Sequence, residues 1–153
     1  MIRQELQGAL GAVVLSIGVV ACSVTTGQPS PTPADILGVA SVLHEYGITA
    51  SHFVSGDAGC ADRDLTQLAV SIEAVGLDQT TPTLIHVYLF RNGEVYDRLR
   101  SAIDTCLESF VTDPSAFGLI EARPYVAAGA GPWAPEFNAA LRRALIQAVE
   151  QGG

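Results

Sequence analysis

From Thr32 onward the apolar positions switch between a helical and an extended period. Ile36, Val39, Ala40, Leu43 and Tyr46 recur at helical spacing. They stand behind a start signal in which Thr32 offers a capping hydroxyl, Pro33 takes the first helical position and Asp35 follows. Gly47 supplies the stop, and Ile48 to Ser55 reads as a strand. After the turn-rich run Gly56 to Asp64, the stretch Gln67 to Val75 alternates, with Leu68, Val70, Ile72 and Ala74 on one side. Thr83 to Phe90 is a further strand, which predicts an antiparallel hairpin closed by a longer loop from Gly76 to Pro82. Asn92-Gly93-Glu94 opens a helix whose Val95, Leu99, Ile103, Cys106 and Phe110 share a face. The chain is extended again from Phe117 to Ala128, and Pro135 to Glu150 closes it as a helix built on Phe137, Leu141, Leu145 and Ala148.

This order predicts a single α+β domain over residues 34–153, with a three- to four-stranded, mostly antiparallel sheet and helices covering one face. If Asp62 to Gln67 forms a helical turn, the middle of the chain also fits a ferredoxin-like core with extra terminal helices, which stays open as the alternative.

The N-terminal pattern is of another kind. A short polar start carrying Arg3 runs into an apolar stretch from Leu6 to Ala21, the layout of an export signal over residues 1–21. Sixteen residues make about 24 Å of helix, short of the ~20 residues a membrane span requires, so a permanent transmembrane helix is the second reading. The stretch ends in Val19-Val20-Ala21-Cys22, which resembles the lipobox of bacterial lipoproteins. The resemblance covers about the first 22 residues and implies that Cys22 is lipidated and becomes the mature N-terminus. Residues 22–33 hold Pro29, Pro31 and Pro33 among Ser, Thr and Gln, a semi-extended tether that would lift the domain off the surface.

With Cys22 assigned to lipid, Cys60 and Cys106 remain as a pair, and in an extracytoplasmic compartment a disulfide between them is preferred over two separate buried thiols. Closing that loop of about 46 residues adds roughly 4 kcal/mol in the chain-entropy picture.

Sixteen acids against eight bases, all of them arginine, give a net charge of -8. A surface of that sign argues against nucleic acid, which demands clustered cations, and against adhesion to anionic lipid, so membrane contact is expected through the N-terminal anchor alone. Candidate chemistry is sparse. The alternation that places Ile85, Val87 and Leu89 on one side puts His86 and Tyr88 on the other. The neighbouring strands would add Glu73, Glu121, Arg123 and Tyr125 to that face, a surface suited to an unknown protein or small molecule. His44, His52, Asp57, Asp62 and Asp64 lack metal-site spacing and read as turn and cap residues. Gly129-Ala130-Gly131-Pro132-Trp133-Ala134 mimics a nucleotide fingerprint, but its prolines remove the amides a phosphate needs, so no cofactor is expected. The preferred reading is a cell-envelope lipoprotein with a non-enzymatic binding or structural domain. The alternative is a small extracytoplasmic hydrolase or metal-dependent enzyme using His86 with Glu73 or Glu121.

Overall fold

The computed structural model describes residues 33–152. Export signal, Cys22 and nearly all of the tether therefore lie outside the described residues. Ten elements follow in order: α1 (Pro33–Glu45), β1 (Thr49–Ser55), α2 (Arg63–Thr66), β2 (Ala69–Gly76), β3 (Gln79–Leu89), α3 (Gly93–Phe110), a 3-10 turn (Pro114–Ala116), β4 (Phe117–Ala122), β5 (Tyr125–Ala130) and α4 (Pro135–Gly152). The class is α+β, as the pattern implies. The sheet has five strands, in the order β1-β2-β3-β5-β4, and every pairing is antiparallel. The ferredoxin-like alternative needs two split units, each with parallel strands before and after a helix and a third strand between them; β3 and β4 around α3 meet this across β5, but β1 and β2 around α2 pair directly and antiparallel, which excludes it.

The fifth strand arises where the sequence reads as one extended run. Pro124 cannot donate to a ladder, and at Arg123-Pro124 the chain reverses, so that Ala122 faces Tyr125 and Ile120 faces Ala127 across a tight hairpin. A second difference lies at the β2-β3 connection. In place of a loop to Pro82, Gly76 pairs with Gln79 across Leu77 and Asp78, and β3 begins at Gln79. Leu77 takes the positive φ of 54° that this short turn demands.

Helices cover both faces of the sheet, which corrects the expected single layer. On one face α1 and α4 enclose a core of Ile36, Leu43, Ile72, Val87, Ile120, Phe137 and Leu141. On the other, α3 and the short α2 close a second core around Tyr88, Phe90, Ile103, Leu107 and Val126. Alternation along β3 feeds both, since Ile85, Val87 and Leu89 enter the first core and Tyr88 the second. Two glycines paired in register, Gly118 and Gly129, open a slot for the indole of Trp133. A Cβ on Gly118 would come within 2.4 Å of that ring.

α4 is capped from a distance. Pro135 opens it without a capping hydroxyl of its own, and the carboxylate of Asp78, in the β2-β3 turn, accepts from the amides of Glu136 at 2.9 Å and Phe137 at 2.8 Å. Desolvation works against the charge on Asp78, but these amide donors outweigh it and hold the carboxyl below its ordinary value of 3.8. Its contribution is therefore complete above pH 3.8 and is lost as pH falls through the lower folded value. Asp78→Ala is expected to lower the melting temperature by roughly 3–6 °C near neutrality. Melting curves at successively lower pH should show the gap to the parent protein narrowing below about pH 4; a gap independent of pH would refute the charged cap.

Candidate functional site

Three buried or half-buried side chains meet under the loop between β1 and α2. Ser71 on β2 and His86 on β3 are register partners, only 1% and 3% exposed, and they are the buried polar residues among the described residues. Asp57 joins them from the loop. Its backbone carbonyl lies 3.1 Å from His86 Nδ1, and one carboxylate oxygen lies 3.8 Å from the same nitrogen. Because a carbonyl oxygen can only accept, Nδ1 carries the proton. The carboxylate accepts from the Gly59 amide at 3.0 Å, and the nearby Ser71 hydroxyl also favours its charge. Burial opposes the charge of Asp57, but the Ser71 and Gly59 donors, with His86 alongside, hold it below the usual carboxylate value.

The loop closes this cluster tightly. Ala58 is 1% exposed, and its carbonyl accepts from the buried Tyr88 hydroxyl at 2.8 Å. Burial, with the negative charge of Asp57 and Asp62 nearby, pushes the Tyr88 phenol well above its usual value, so it serves as a permanent donor. Gly59 takes a φ of +74°, and a Cβ there would come within 2.7 Å of Phe110 and 2.8 Å of His86 Nε2. The loop is tied to α3 by Cys60 and Cys106, whose sulfurs stand at disulfide distance, with their Cα atoms 5.5 Å apart. Asp62 ends the loop as the N-cap of α2, accepting from Asp64 and Leu65 at 2.9 Å.

The six residues assigned to a common binding face are dispersed. His86 and Tyr88 share the covered floor just described. Glu73 lies further along that side and pairs with the exposed His52 of β1 at 3.0 Å. Glu121 is engaged by Arg100 and by the Tyr96 hydroxyl at 3.1 Å, which pins α3 to β4. Arg123 bonds Asp97 and the Gly93 carbonyl and stacks over Tyr96 at 5.5 Å, so Glu121 and Arg123 meet around one ring. Tyr125 packs against the opposite core, because the hairpin reversal at Pro124 inverts its side relative to Glu121. Asp57 is the member that sequence reasoning treated only as a turn former; its two-residue spacing to Gly59 signals that turn, and nothing local signals its reach to β2 and β3.

Compared with known protein families, with curated proteins and with solved structures, the chain matches none. Geometry therefore carries the functional argument alone. Elsewhere, a cleft of about 110 Å³ between α2 and α3 is lined by Asp64, Gln67, Leu68, Arg98 and Leu99, room for a few waters. Towards β1, where α3 no longer covers the sheet, Val54 and Leu84 remain about half exposed.

Gly59 is the sharpest probe of the closed loop. Gly59→Ala combines a strained positive φ with contact on two buried rings and is expected to cost about 2–3 kcal/mol in chemical denaturation. A cost below about 0.5 kcal/mol would mean that the loop is not held against His86 and Phe110 in solution.

Proposed function

We propose that this chain is a cell-envelope lipoprotein, anchored through a lipidated Cys22 and carrying a non-enzymatic binding or structural domain on the extracytoplasmic side. One observation carries the reading. Two of the three cysteines, Cys60 and Cys106, stand at bonding distance, a pairing that persists in oxidising compartments, which leaves Cys22 as the remaining cysteine, at the end of the lipobox-like segment. The placement of the polar side chains supports a module that does no chemistry: Glu73, Glu121 and Arg123 serve as ties between elements, and His86 is roofed over. Among the described residues no helix is long and apolar enough to cross a membrane, so attachment in this reading rests on the N-terminus.

The hydrolase reading has one observation in its favour, the contact of Asp57 with both Ser71 and His86. In a nucleophile triad the imidazole stands between acid and hydroxyl, whereas here the Ser71 hydroxyl favours the charge of the acid itself and His86 Nδ1 is directed to the Asp57 backbone carbonyl.

Mass spectrometry of the protein extracted from membranes is expected to find Cys22 lipidated at the mature N-terminus. Unmodified Cys22 with Met1 still attached would replace the lipid anchor by an uncleaved helix. Labelling of Ser71 by a fluorophosphonate, a reagent for activated serines, would reverse the choice between module and hydrolase.

A further inference from the structure

We propose that the Cys60–Cys106 bond is an exchangeable latch: a dithiol reductant attacks it at Cys60, and its opening releases the loop from Gly56 to Asp62 and uncovers His86 and Ser71. The two sulfurs are unequal. Cys106 is 3% exposed, on the inner face of α3, while Cys60 is half-buried in a surface loop. Exchange proceeds by approach of a thiolate along the sulfur-sulfur axis, from the side away from the leaving sulfur. Attack on Cys60 comes from the loop side; attack on Cys106 would come through the second core. The leaving sulfur also has a donor at hand, since the Tyr88 hydroxyl lies 3.8 Å from Cys106 Sγ and can turn from the Ala58 carbonyl toward a thiolate.

The steps balance as ordinary exchange. A thiolate of the reductant forms a bond to Cys60 Sγ as the Cys60–Cys106 bond breaks, and Cys106 leaves with the electron pair and takes up a proton. The second thiolate of the reductant then attacks its own sulfur in the mixed disulfide and expels Cys60, which is protonated in turn. Two electrons and two protons pass to the protein, and the reductant becomes a disulfide.

Release follows from how little else holds the loop. Its ends are held by the Gly56 amide and by the Asp62 cap of α2; between them Ala58 is the one buried apolar residue, and the remaining ties to the sheet are hydrogen bonds from Tyr88 and His86, each worth about 1 kcal/mol. Opening such a segment costs far less than unfolding the sheet beneath it. What it uncovers is specific, because the buried polar side chains among the described residues, Ser71 and His86, both lie under this loop.

The compartment invoked rests on the reading above, but the latch is tested on the purified full chain in detergent and stands or falls apart from localisation. Glutathione followed by acid quenching and peptide mass analysis should place the adduct on Cys60 over Cys106 by about tenfold or more. Diethylpyrocarbonate should then modify His86 at least about tenfold faster after dithiothreitol than before it. The exposed His44 and His52 provide the internal reference and should be unchanged. Adduct on Cys106, reduction that proceeds only in denaturant, or equal His86 reactivity in the two states would overturn the proposal. Acceleration at His86 accompanied by loss of amide protection throughout β2 and β3 would also overturn it, since that is global unfolding.

Discussion

Tyr88 and His86 are polar groups on the central strand of the sheet, buried against a second core that is largely apolar, and each must find a partner there. Both find one in consecutive carbonyls of a single loop, Ala58 for the phenol and Asp57 for the imidazole. Much else follows from this requirement. The loop must lie flat on β3, so Gly59 must adopt a positive φ against Phe110 and His86, and Asp57 must turn its carboxylate toward Ser71. An unpaired phenol or imidazole in this position would cost about as much as a core cavity.

The Cys60–Cys106 pair belongs to the same constraint. Hydrogen bonds to two carbonyls position the loop but supply little net stability, and one buried alanine adds little more. Linking Cys60 to the inner face of α3 restricts how far the loop can depart, so the second core keeps its roof. The first core needs no such device, because two long helices, α1 and α4, enclose it with ordinary apolar packing. The Tyr46 hydroxyl and Glu45 then join α1 to α4 through Gln147.

The parts of the fold legible in the sequence are those set by local chemistry. Asn92 caps α3 through its side chain, and the stripe from Val95 to Phe110 lies on the second core, as its spacing indicates. Alternation in β2 and β3 reveals their pairing. It does not reveal that both faces are covered, because a strand with apolar residues on one side and Leu, His, Tyr and Phe on the other fits a half-exposed sheet equally well. The run from Phe117 to Ala128 carries no turn signal beyond Pro124, and taking it as one strand inverts Tyr125 by the period-two rule.

For the candidate site the division is similar. The sequence by itself determined the class α+β, the long helices and the Asn92 cap of α3, the count that leaves Cys60 and Cys106 as a pair, and the turn-forming character of Asp57 and Gly59. Only the tertiary structure decided that Asp57 meets Ser71 and His86, that Glu121 is consumed by Arg100, and that α4 receives its cap from Asp78 some 58 residues away. The physical reason is range. Periodicity, capping and turn propensity act between residues a few positions apart, whereas a buried hydrogen bond is made by whichever group the packing of distant elements brings within 3 Å, and no local pattern encodes that neighbour.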